Sequence, residues 1–88
     1  MGQYEKLLLA LMSGTQDKNF RFSDLQLILD RTGFSHRIRG DHHIYTRADV
    51  AEIVNIQPNG NQAKPYQCRQ VRQIILKYHL GGGLLNEI

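Results

Sequence analysis

The 88-residue chain predicts a small α+β domain in the order helix, helix, three antiparallel strands, helix. Three observations carry that prediction. Tyr4, Leu7, Leu8 and Leu11 recur at helical spacing, Phe34 to Arg39 switches to strict alternation, and Cys68, Val71, Ile74, Ile75 and Tyr78 return to helical spacing near the end. Such an order lets helices cover one face of the sheet and leaves the other open.

The first helix spans residues 3–13 and is stopped by Ser13-Gly14, after which Thr15 to Asn19 is a polar connection. The second is expected over 24–32, with Ser23 as N-cap, Gln26 as the reciprocal partner of a capping box, Leu25, Ile28 and Leu29 as buried stripe and Gly33 just past the end. Phe34, His36 and Ile38 then share one strand face, and Ser35, Arg37 and Arg39 the other. Gly40-Asp41 is a tight turn leading into a second strand from His42 to Arg47. A third strand is placed at 53–57, joined through 48–52 and ended by Pro58-Asn59-Gly60-Asn61. Pro65 suits the first position of the last helix, which runs through Tyr78 with Arg69 and Arg72 on a different face, where both could point at one anion. Gly81-Gly82-Gly83 ends regular structure, so the chain divides into one domain over 1–80 and a Gly-rich tail over 81–88, loose or in contact with a partner.

Hydrophobic content of 41% beside 22% charged residues argues for a folded chain rather than a disordered one. The charge is uneven. Residues 1–33 hold four Lys/Arg against four Asp/Glu, whereas 34–79 hold seven against three, a surplus of +4 in the half that carries the histidines. That surplus favours an anionic partner such as nucleic acid, and the plainer alternative is solubility alone. A lone Cys68 excludes an internal disulfide and reads as a small core hydrophobe. Glu5 and Lys6 interrupt Met1 to Met12, which is therefore not a signal peptide, and no stretch approaches a membrane span; the cytoplasm is the expected compartment.

Four histidines, His36, His42, His43 and His79, suggest a metal first. Zinc needs three or four converging ligands, and His42 and His43 are adjacent on a strand and point to opposite faces, so no metal or cofactor is expected. No nucleophile elbow surrounds a serine, and no glycine-rich loop precedes a helix. Metal-free cleavage of RNA has fewer needs. The 2′-hydroxyl is the nucleophile, a histidine can move the proton, and arginine or lysine can stabilise the charge on phosphorus. The stretch Arg37-Ile-Arg39-Gly-Asp-His42-His43 offers those groups, and the plain alternative is the solvated face of an ordinary sheet. Lys64, just before a helix start, is a further phosphate candidate.

The run Gly33-Phe34, then Arg39-Gly40-Asp41-His42-His43-Ile44-Tyr45, then Ala63-Lys64-Pro65-Tyr66-Gln67 leading into Arg69-Gln70-Val71-Arg72 resembles the HicA (YcfA-like) family of toxins, over roughly Tyr4 to Leu80. The resemblance implies a fold like a double-stranded-RNA-binding domain, here with an N-terminal helical extension, and an mRNA interferase of a toxin–antitoxin pair. It implies His42 as the catalytic residue, with His43 as the adjacent alternative, and a HicB-like antitoxin as protein partner. On the charges of the chain itself, Arg37, Arg39 and Lys64 are then expected as phosphate contacts and Arg69 and Arg72 as further RNA or antitoxin contacts, a solvated helix face being the alternative for the last two. One departure stands out. The residue after Gly40 is usually small or hydroxylated in that family and here is Asp41, a carboxylate that favours imidazolium at His42 and opposes an incoming phosphate. A second reading is a non-catalytic RNA-binding module of the same shape, and a third is an interaction domain that uses Leu84-Leu85 and the exposed sheet.

Overall fold

A computed structural model describes residues 2–85 of the chain. Helix α1 (Gln3–Ser13), helix α2 (Phe22–Arg31), strands β1 (Ser35–Arg39), β2 (His42–Arg47) and β3 (Val50–Ile56) and helix α3 (Pro65–Lys77) follow in the expected order. Short 3-10 turns lie at Asp17–Asn19 and Gly82–Leu85. The second of these falls where the glycine run was expected to end regular structure; residues 86–88 of the expected tail lie outside the described residues.

The start of α2 differs from the expected cap. Ser23 lies inside the helix, and the N-cap is Arg21, which is extended and makes no side-chain capping bond. The first free amide is satisfied by backbone instead: Phe22 N–H donates to Asn61 O at 3.0 Å, and Arg21 forms an antiparallel bridge with Gln62. A long-range backbone partner thus replaces the local hydroxyl. Gln26 is freed from capping and turns toward the sheet. The helix closes at Thr32, whose hydroxyl donates to Ile28 O at 2.9 Å, followed by Gly33 at φ +92, a region where glycine is unstrained.

The sheet is antiparallel in the order β1-β2-β3. Gly40 and Asp41 alone connect β1 to β2, and Gly40 takes φ +63 to do so. β3 begins at Val50, three residues before the expected start at Ile53, so only Ala48 and Asp49 separate it from β2. Val50, Ala51 and Glu52, expected in the connection over 48–52, belong to the strand. In the fold Glu52 is satisfied by the Tyr78 hydroxyl, which donates to Oε1 at 2.6 Å, and by Lys77 at 3.1 Å, while Arg47 holds the turn through Asp49 at 2.9 Å.

One core joins the elements. Tyr45, Val54 and Ile56 from the sheet cluster with Leu25, Ile28 and Leu29 of α2 and Cys68, Val71, Ile74 and Ile75 of α3. Burying these side chains removes on the order of 2 kcal/mol of apolar exposure each, the main favourable contribution to the fold. α1 packs against α2 and α3, burying Leu8 and Leu11. Burial pushes the Cys68 thiol up to about 11, consistent with a core role. α3 is closed by His79 in the left-handed conformation (φ 55), with Leu80 N–H returning to Ile75 O at 3.0 Å. Every residue of β1 is exposed, and β1 is an edge of the sheet. Among the described residues no helix is long and apolar enough to cross a membrane.

Candidate functional site

Strand pairing decides which histidine faces where. Tyr45 pairs with His36 and Val54, and His43 pairs with Ile38 and Ile56, so these residues share the core side. Ile44 pairs with Arg37 and Asn55 on the opposite side, and His42 pairs with Arg39 at the turn. The open face therefore carries Arg37, Arg39, His42, Ile44 and Asn55 together. Ile53, on the same face, is 62% exposed.

His42 is half exposed, its Nδ1 lying 3.0 Å from Asn55 Oδ1 and its Nε2 3.8 Å from Asp41 Oδ1. The amide oxygen is an acceptor only, so Nδ1 carries the hydrogen of this bond. The contact to Asp41 is too long for a hydrogen bond and is an ion pair only when the ring is protonated. Asp41 is drawn to another partner, for Gln57 Nε2 donates to its second carboxylate oxygen. That bond is the main reason the Asp41 carboxyl sits below its ordinary value, and the neighbouring charges of His42 and Lys64 add to it.

The same glutamine links the turn to α3. Gln67 is wholly buried and donates Nε2–H to Gln57 O at 3.2 Å, while its Oε1 accepts the Lys64 backbone N–H at 3.1 Å. Gln67 thus closes the N-terminus of α3 in capping-box fashion, with Pro65 next to it. The result fixes Lys64 on the turn side of the sheet, where its charge reaches Asp41.

His43 has a different environment. Its Nδ1 lies 3.1 Å from Gln26 Nε2 and 3.0 Å from His36 Nε2, Phe22 meets its ring edge-on at 5.0 Å, and His36 stacks over it at 5.1 Å and over Tyr45 at 4.3 Å. Partial burial, then the neighbouring His36, lower its pKa, so it is held neutral. His43 is packing between α2 and the sheet.

The two arginines of α3 part company. Arg72 is tied to Asp17 by two bonds of 3.0 and 2.9 Å and donates to Leu11 O at 2.7 Å, with both side chains mostly buried. It joins α1, the following turn and α3; the anion it meets is the chain's own Asp17, on whose carboxyl the charge of Arg69 also acts. Arg69 is exposed and lines an open cavity of about 450 Å3 with Lys18, Asn19 and Pro65. A smaller groove of about 220 Å3 lies on the sheet beside Ile44, lined by Ser35, Arg37 and Thr46. Among the described residues no three His, Cys, Asp or Glu side chains are grouped so as to hold a metal ion.

The sequence pattern pointed to His42, Arg37, Arg39 and Lys64, and the fold places His42 and Arg39 at one end of the open face with Arg37 farther along it, while Lys64, at the start of α3, is close enough for its charge to act on Asp41 in the turn. It did not point to Asn55, Gln57 or Gln67. Alternation marks Asn55 as facing away from Val54 and Ile56, but its approach to His42 is a diagonal contact set by β2–β3 register, which the sequence leaves open. Compared with known proteins, the chain matches no family model, no curated protein and no solved structure.

Proposed function

We propose that the chain is a metal-independent endoribonuclease, acting as the mRNA interferase of a toxin–antitoxin pair, with His42 as its general acid/base. The observation that carries this reading is the environment of His42: half exposed on an open sheet face, with Nδ1 bonded to Asn55 and with Arg39 and Lys64 near the same turn. His42 takes the proton of the 2′-hydroxyl, the 2′-oxygen attacks phosphorus, and the 5′-oxygen departs. Arg39, Arg37 and Lys64 balance the charge that develops on the phosphoryl oxygens. Arg69 extends the basic surface along α3, whereas Arg72 takes no part. Support also comes from the resemblance of the Gly40-Asp41-His42-His43 hairpin and the Lys64-Pro65 helix start to the HicA family. On that resemblance we take the sheet and helices to be a fold of the double-stranded-RNA-binding kind, and a HicB-like antitoxin to cover the open face.

One observation favours a second reading. Asp41 Oδ1 is 3.8 Å from His42 Nε2, where an incoming phosphate would meet negative charge, and a chain repelled there would be a non-catalytic RNA-binding module.

Induction in a bacterial host of the intact chain, His42→Ala and His43→Ala separates these readings, with protein levels, growth and bulk mRNA followed. Arrest and mRNA loss removed by His42→Ala and kept by His43→Ala support the ribonuclease. Purified protein should cleave RNA in excess chelator, leaving 2′,3′-cyclic phosphate and 5′-hydroxyl ends. A folded chain that binds RNA in a salt-dependent way without cutting it would leave the binding module standing.

A further inference from the structure

We propose that Asn55 is the positioning residue for His42: it fixes the ring as the Nδ1–H tautomer and so makes Nε2 the atom that accepts the proton. The catalytic part rests on the ribonuclease reading; the tautomer does not. A neutral imidazole has one N–H, and with the Asn55 oxygen 3.0 Å from Nδ1 the contact is a hydrogen bond in the tautomer that carries the hydrogen on Nδ1. Nε2 is then left with its lone pair. An unconstrained histidine in water favours the opposite tautomer, with hydrogen on Nε2 and no free lone pair on the outer nitrogen.

Two amides divide the work. Asn55 sits on β3 between Val54 and Ile56, both fully buried, so its backbone is anchored by the core while its side chain reaches diagonally to His42. Gln57, two residues on, binds Asp41 and leaves its nearer oxygen 3.8 Å from Nε2, beyond hydrogen-bond reach. Asp41 therefore does not demand a hydrogen on Nε2. Arg39, which pairs with His42 across the two strands, is a donor and not an acceptor, and the Lys64 charge that acts on Asp41 likewise offers no acceptor.

The step balances as follows. The 2′-hydroxyl proton moves to Nε2 as its oxygen bonds to phosphorus, the bond from phosphorus to the 5′-oxygen breaks, and that oxygen takes a proton from water. The imidazolium keeps its Nδ1–H bond to Asn55 and returns the Nε2 proton to solvent.

The test uses the full chain labelled with 15N, in two-bond proton–nitrogen spectra of the histidine rings at pH 8, beside cleavage of an oligoribonucleotide. His42 should show the Nδ1–H pattern in the wild type and revert to a majority of Nε2–H in Asn55→Ala. Turnover in Asn55→Ala should fall several-fold with KM changed less than about threefold, since only the minority of Nδ1–H rings can then act as base while phosphate contacts remain. Asn55→Asp keeps an acceptor at Nδ1 and should restore the Nδ1–H pattern and most of the turnover, a rescue that a merely structural role would not give. Asn55 is exposed, and a thermal melt of each variant verifies the fold. A wild-type His42 found mainly as Nε2–H, or a tautomer unmoved by Asn55→Ala, overturns the proposal. An Nδ1–H ring in a chain that cleaves no RNA overturns the role of Nε2 as base and leaves the positioning of the ring supported.

Discussion

His42 and His43 are neighbours in sequence and opposites in circumstance. One stands half exposed on the open face, held by a single amide, and the other is wedged among Phe22, Gln26 and His36 against α2. Strand alternation separates them, and what each face contains then decides what each ring can do. The face under the helices holds a histidine neutral by packing; the open face leaves one available to a ligand.

The sharpest way to break this contrast is to remove each ring in turn. His42→Ala should lower RNA cleavage about 100- to 10,000-fold and leave the unfolding free energy within about 0.5 kcal/mol. His43→Ala should do the reverse, retaining cleavage within a few-fold while costing about 1–2 kcal/mol through lost ring contacts, as read from chemical denaturation. Loss of cleavage in His43→Ala alone would exchange the two roles.

The arginines of α3 extend the same comparison. Arg72→Leu strips Asp17 of its partner at a largely buried site and should cost about 3 kcal/mol of stability. Arg69→Ala should cost less than about 0.5 kcal/mol and instead reduce the salt dependence of RNA binding by about one unit of logarithmic slope.

Much of this was legible in the sequence. Helical and alternating spacing located each element, and Gly40-Asp41 fixed the turn that presents His42. What escaped were features that depend on distant partners. Ser23 was a reasonable cap until Asn61 supplied a backbone oxygen from across the fold. Arg69 and Arg72 looked equivalent by spacing, and only the position of Asp17 distinguishes them. Asn55 needed the β2–β3 register, and Gln67 read as an ordinary helix residue although it ties Gln57 to Lys64.

Smaller effects sharpen the picture further. The pKa of His43 lies below its ordinary value of 6.5 in the folded chain. Below that pH the unfolded chain takes up the proton first, so stability should decline as pH falls beneath about 6.5 and level off once folded His43 also protonates. His43→Gln should flatten that part of the pH–stability curve relative to the wild type. On the open face, Asp41→Ser removes the negative charge beside His42 and Lys64 and should tighten RNA binding a few-fold at low salt, with the gain fading as salt rises. Unchanged affinity would mean that Gln57 already shields the carboxylate.

The exposed edge strand β1 has a bearing on handling the protein as well as on its chemistry. An edge strand offers unpaired backbone groups to any other chain, and five consecutive exposed positions make a long enough template for unwanted stacking. Arg37 and Arg39 are the charges that discourage this, so the side chains assigned to phosphate also act as gatekeepers against self-association. Disarming the protein by neutralising both arginines would therefore yield a chain prone to precipitate, whereas disarming it at His42 would leave that protection in place.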